Sequence, residues 1–315
     1  MSSQSNLAVC SEINDSAMGC KPLAILSLFN CLSLDAVAVG LAWQCLFTNQ
    51  FCQRWPQVYE IAILGLSIWL AYTADRLMDS RQLDRALPRT LRHEFHHRHH
   101  RRICLFWLIA LVIDVGLVFY LATESQLRIG VVAICLVLAY LAGIHFRPQR
   151  FSWQPSLPKE VQVGLVFAFG VSLNAWAFAT EDAQASLVLA MLISAVMFSL
   201  NCLTVASAES SLDAQQGFPS AINRLPWSSQ WLTPMMIAHS AIAMVFGVVN
   251  LIPMLIAICL SVSSVCLALA LRYQRAIGEG GVTRMRFPQS TVSGLAADAA
   301  TIVAPSVWLL SKFLP

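Results

Sequence analysis

Long apolar runs separated by short polar stretches set the pattern of this chain. A helix needs roughly 17 to 25 apolar residues to cross a bilayer. Segments of that kind lie near 23–47, 57–79, 103–122, 127–146, 161–180, 187–208, 233–250, 252–271 and 294–313. The pattern predicts an all-α polytopic membrane protein of about nine transmembrane helices. The seventh and eighth runs are parted only between Asn250 and Pro253, so one long kinked helix is the alternative there. Residues 1–21 are polar and have no basic stretch leading into a short apolar core, which reads as a tail and not as a cleaved signal.

Composition excludes an ordinary soluble domain, since 57% of the residues are hydrophobic and only 12% are charged. Positive charge then orients the helices, because cytoplasmic loops collect Lys and Arg. With nine spans, all of the 20 basic residues except Arg54, Arg128 and Lys312 fall on one side, helix ends included. That side holds the loops 80–102, 147–160, 209–232 and 272–293 and the N-terminus. The reading is an integral protein of the bacterial inner (plasma) membrane with a cytoplasmic N-terminus. The ten cysteines form no CxxC pair and read as small hydrophobes of the spans. No basic platform interleaved with aromatics is present, so nucleic acid is not an expected partner, whereas membrane lipid or a phosphorylated substrate is.

Two carboxylate pairs stand out, Asp75 with Asp79 and Glu209 with Asp213. Each pair is spaced by four, so on a helix both acids project from one face. Acids beside a bilayer are costly and mark function by default. The pairs close the second and sixth spans on the same side, which suggests two four-helix halves followed by a ninth helix, with the pairs facing one another. Mg2+ takes oxygen ligands and is held by one or two carboxylates together with substrate phosphates. Facing pairs suit a diphosphate carried on a long apolar tail, a polyprenyl diphosphate. Asp84 is a further acid for the metal. Arg76, Arg81, Arg85, Arg224 and Lys159 are the candidate cations for phosphate oxygens.

In these motifs the chain resembles the UbiA-type intramembrane prenyltransferase superfamily, which has nine helices around a central cavity. The family's NDxxDxxxD motif lies over "AYTADRLMD", its last two aspartates on Asp75 and Asp79. Its DxxxD motif lies over "ESSLD", at Glu209 and Asp213. "LPKEVQVGLVFAFGV" is also similar in flavour. Ala71 and Tyr72 stand where the family has Asn and Asp, and Glu209 where it has Asp, which marks a divergent member. The resemblance implies one UbiA-like domain over 22–315 behind a polar tail. It also implies Mg2+-assisted ionisation of an allylic diphosphate, with transfer of the prenyl group to an electron-rich acceptor.

Other polar residues admit other readings. Asp35, near the middle of the first span, is an acceptor-site residue or an interhelical hydrogen-bonder. Asp114 reads as a buried structural acid, and Asp298 as a solvated or helix-starting one. The histidines of "RHEFHHRHHRR" resemble one box of a membrane di-iron oxidoreductase, but the chain's seven histidines fall short of the roughly eight that such a site takes. A basic surface loop over 80–102 is the plainer account. Intramembrane acids in repeated halves also suit an ion-coupled transporter, for which Asp35 and Asp114 would be the residues.

Overall fold

The computed structural model describes residues 27–82, 84, 86–87, 90–145, 157–217, 220–224, 228–279 and 289–312. The tail and Arg85 lie outside them. Among the described residues the chain is helical throughout, with no strand. In order, the helices are α1 Leu34–Cys52, α2 Val58–Gln82, α3 Leu91–Arg98, α4 His100–Leu121, α5 Glu124–His145, α6 Lys159–Val171, α7 Leu173–Phe178, α8 Gln184–Gln216, α9 Ala221–Arg224, α10 Ser228–Val248, α11 Met254–Glu279 and α12 Gln289–Ser311.

Seven of these, α2, α4, α5, α8, α10, α11 and α12, are long and apolar enough to cross a membrane. This is an integral membrane bundle. The described part of the run at 23–47, from residue 27 on, and the run at 161–180 are helical but interrupted. In the first, the helix breaks at Leu32 and Ser33, with Ser33 at a left-handed φ of 59°. The break frees backbone carbonyls, and α2 satisfies two of them: Trp69 Nε1 donates to Leu32 O at 3.0 Å and Arg76 to Asn30 O at 2.6 Å. Asp35 therefore stands in the first turn of α1, not mid-span, where it accepts from the Ala36 N–H at 2.9 Å. In the second, Ser172 Oγ donates to Ala168 O and Phe169 O at 2.8 and 3.0 Å, and α6 gives way to the short α7. Between Asn250 and Pro253 the chain turns, with Asn250 at a φ of 59°, so α10 and α11 are separate helices.

The core lies along α1 and α8. Trp43, Leu46 and Phe47 of α1 and Leu187, Ala190 and Met197 of α8 are fully enclosed. Around them pack α2, α6, α10, α11 and α12, while α4 and α5 turn apolar side chains outward, as lipid-facing helices do. At one end of the bundle an ion pair ties α1 to α2. Arg54 grips Glu60 with two bonds of 2.7 Å, and Glu60 also accepts from the Gln57 N–H and from Gln126 of α5. The opposite end gathers the C-termini of α2, α5 and α8, the N-terminus of α6, and α3. At 33 residues, α8 is about 50 Å long against a hydrocarbon core of about 30 Å. Its last turns thus lie beyond the apolar layer until Gly217, at a φ of 74°, ends the helix.

Candidate functional site

The carboxylate pairs both lie at that second end. The last turns of α2 carry Asp75 and Asp79, four residues apart on one face. Lys159, the first residue of α6, places its ammonium between them, 3.2 Å from Asp75 Oδ2 and 3.3 Å from Asp79 Oδ2. From the end of α5, His145 Nε2 lies 2.9 Å from Asp75 Oδ1, and Nδ1 lies 3.8 Å from Asp79 Oδ1. The Tyr140 hydroxyl donates to Asp75 Oδ1 at 3.0 Å. Burial works against the charge on Lys159, but the two carboxylates outweigh it and hold the ammonium above its ordinary pKa.

The second pair is carried by the end of α8, with Glu209 buried and Asp213 half-buried. Glu209 forms an ion pair with Arg92 of α3. Arg92 is also within electrostatic range of Asp213, Asp35 and Asp79, and Asp213 is within range of Glu209, Lys159 and Asp79. The two pairs therefore share one field. Thr90 caps the helix that brings Arg92 inward, its hydroxyl accepting from the His93 N–H at 3.4 Å.

A third acidic group adjoins the second end. Asp35 accepts from Asn30 Nδ2 at 2.6 Å and neighbours Asp298 of α12, which accepts from Asn201 Nδ2 of α8 at 3.0 Å. Asp298 is thus engaged inside the bundle, beyond the solvated or helix-starting role expected of it. Arg76 is buried beside both acids and is committed to the Asn30 carbonyl. Three predicted residues stay apart. Arg81 is exposed beside His100, Arg224 is exposed at the end of α9, and Asp84 is exposed with its carboxylate on the Ala86 N–H. Asp114 is buried, accepts from Ser67 at 2.8 Å and joins α4 to α2, in keeping with a structural role.

Three partners were not singled out from the sequence: Arg92, His145 and Tyr140. Each is remote in sequence from the acid it meets, and Arg92 is one cation in a basic stretch. Only the i, i+4 spacing of the acids announced the site.

Asp75, Asp79 and His145 each offer a ligand atom within 4.8 Å of the others, and they form the one such group among the described residues. The histidines of α3 contribute none to it. The acids suit a hard divalent cation. Asp75, Asp79, Glu209 and Asp213 face two nearby cationic side chains, Lys159 and Arg92. The four acids outnumber these two cations, and burial together with the neighbouring Glu209 pushes the Asp213 carboxyl up to about 7. Lys159 already shows that a cation is held between the first two carboxylates, and oxygen donors match Mg2+ better than does the imidazole.

No protein-family model matches the chain, no curated protein matches it in sequence, and no solved structure matches its fold.

Proposed function

We propose that this protein is an Mg2+-dependent prenyltransferase of the UbiA type. It would move a polyprenyl group from a polyprenyl diphosphate to a lipophilic or aromatic acceptor within a membrane. The observation that carries the reading is the shared field of Asp75, Asp79, Glu209 and Asp213 with Lys159 and Arg92 at one end of an apolar bundle. The finer architecture belongs to the same proposal: nine spans in two four-helix halves plus a ninth, and a cytoplasmic N-terminus in the bacterial inner membrane. The acid-bearing end faces the cytoplasm, where a soluble diphosphate arrives.

Bound Mg2+ would supply charge neutralisation that makes diphosphate a better leaving group. Asp75, Asp79, Glu209 and Asp213 would hold the cation. Lys159, released from the two aspartates, and Arg92 take phosphate oxygens. As the allylic C–O bond breaks, its electron pair leaves with the diphosphate. The acceptor's electrons close the new bond to the prenyl carbon, and the acceptor then gives up a proton. Tyr72, Phe167 and Phe198 wall off water below the site.

A second reading is favoured by one observation. Asp35, Asp298 and Asn201 form a carboxyl and amide cluster beside a small interior cavity, as an ion-coupled transporter would use. One binding experiment separates the two. Radiolabelled farnesyl or geranylgeranyl diphosphate is offered to the detergent-purified protein with Mg2+ or with EDTA. Binding and diphosphate release should need the metal and should be lost in both Asp79→Ala and Asp213→Ala. Absence of binding at any chain length removes the transferase reading, and proton-coupled uptake lost in Asp35→Asn alone would put the transporter in its place.

A further inference from the structure

A groove of about 690 Å³ runs along the flank of the bundle. It runs along the face of α2 that carries Gly65, Trp69 and Thr73, and neither Asp75 nor Asp79 lines it. Its floor is Leu32, Val37 and Leu41, and its walls are the Ile61 to Thr73 face of α2 and the Ile103 to Ile113 face of α4. Phe95 and His96 of α3 close one end. Among the lining residues only Thr73, Trp69 and His96 carry polar side-chain atoms, and the indole N–H of Trp69 is spent on Leu32 O.

Two features say what fills this groove. From Ile61 to Thr73 the helix rises about 18 Å, close to the depth of one leaflet, about 15 Å. Phe106, Ile109 and Ile113 are exposed at its rim, so the groove opens sideways toward bilayer. The same stripe of α4, continued one turn toward the closed end, arrives at Arg102. That residue is exposed and pairs with no acid among the described residues. An apolar channel one leaflet deep, topped by the exposed guanidinium of Arg102 at headgroup level, matches a phosphate-bearing lipid.

We infer that the α1–α2–α4 groove is a binding site for an anionic membrane phospholipid, one acyl chain lying in the groove and the phosphate meeting Arg102. The occupant is not the reacting diphosphate. None of Asp75, Asp79, Glu209, Asp213, Lys159 and Arg92 lines the groove. This lipid site is independent of any prenyl-transfer chemistry.

Native mass spectrometry of the purified full chain tests it, with palmitoyl-oleoyl phosphatidylglycerol offered against the phosphatidylcholine of the same chains. The wild type should retain one phosphatidylglycerol with a preference of about fivefold, the contribution of a single arginine at a charged surface. Arg102→Gln, on the exposed face of α4, should bind both lipids equally. Gly65→Leu, which pushes a side chain into the groove, should retain neither. Equal retention of the two lipids by wild type, or an undiminished preference in Arg102→Gln, overturns the assignment even if Gly65→Leu fails to fold. So does one-for-one displacement of phosphatidylglycerol by farnesyl diphosphate, which would make the occupant an isoprenyl chain.

Discussion

Lys159→Met separates the role that the geometry shows for this lysine, counter-ion to the aspartates, from the one we propose for it, partner of the diphosphate. Methionine keeps much of the length and apolar stem while removing the charge. In the wild type the ammonium is 3.2 Å from Asp75 and 3.3 Å from Asp79, with side chains 29%, 20% and 19% exposed. Losing one partner of a fully buried pair costs 3–5 kcal/mol, and losing an exposed pair about 0.2–1 kcal/mol. A pair exposed by about a quarter falls between, at roughly 2–3 kcal/mol. The variant should therefore unfold earlier than wild type in metal-free detergent solution. A divalent ion no longer has to displace the ammonium, so it both repairs the uncompensated charge and binds more tightly. If the whole 2–3 kcal/mol is recovered on binding, the affinity for Mg2+ rises about 30- to 150-fold. Titration calorimetry with Mg2+, paired with thermal unfolding with and without the metal, measures both effects. An early-unfolding variant that Mg2+ fails to restore, or an Mg2+ affinity that stays the same or falls, would refute the idea that lysine and metal compete for one place.

Other parts of the site make further predictions. Gly164 lets α6 rest directly on α8: a Cβ there would meet Ala195 O at 2.6 Å and Ser199 N at 2.7 Å, both backbone atoms that cannot step aside. Gly164→Ala should cost about 1–3 kcal/mol, lowering the unfolding temperature and, by shifting Lys159, Mg2+-dependent diphosphate binding too. Gly170→Ala, whose added carbon meets only Leu64 Cδ1 at 3.8 Å, should leave both unchanged. Burial, helped by Arg92 and Arg76, depresses His93 to about 3 and His96 to about 4. Both rings are thus neutral when α3 is docked. Once undocked they titrate near the ordinary 6.5, so the undocked form binds the extra protons between pH 6.5 and those lower values. Stability is whole above 6.5 and falls with acid by about 1.4 kcal/mol per unit per histidine. Hydrogen exchange of 91–98, corrected for intrinsic rates, should show protection dropping from pH 7.5 to 5.5, and equal protection would exclude the coupling.

What the sequence made legible was the part governed by local periodicity. Apolar runs located the helices, and the spacing of four between acids located the faces of α2 and α8 that carry the site. The departures arose where backbone chemistry or distant partners decide. Nothing in the run 161–180 predicts that Ser172 Oγ would take two carbonyls and end α6 there. Asp35 counted as mid-span because the run begins near residue 23, yet the break at Ser33 makes it a first-turn residue. Arg92 is one of many basic residues between 80 and 102, and only the packing of α3 against α2 and the nearness of α8 choose it for Glu209. His145 lies 70 positions from Asp75, beyond any local pattern.

Tyr72, which stands where the UbiA-type motif that the chain resembles has an aspartate, is explained by the interior of the bundle. The Tyr72 ring meets Phe167 edge-on at 6.2 Å, Phe167 meets Phe198 at 4.7 Å, and Phe198 meets Trp43 at 5.6 Å. This chain of rings crosses from α2 through α6 and α8 to α1 and fills the center. The space left beside it, bounded by Asn201 and Asp298, is about 20 Å³, room for a single water. An aspartate at 72 would have placed a charge where this wall now stands, against Phe167, and would have needed a cation to meet it. With tyrosine there, Asp75 and Asp79 are the acids that this stretch of α2 could offer a cation, and the ring packs against Phe167. On the proposed prenyltransferase reading, a polyprenyl tail lying between the helices would have to displace these rings, so chain binding and rearrangement of the Tyr72, Phe167 and Phe198 stack would be a single event.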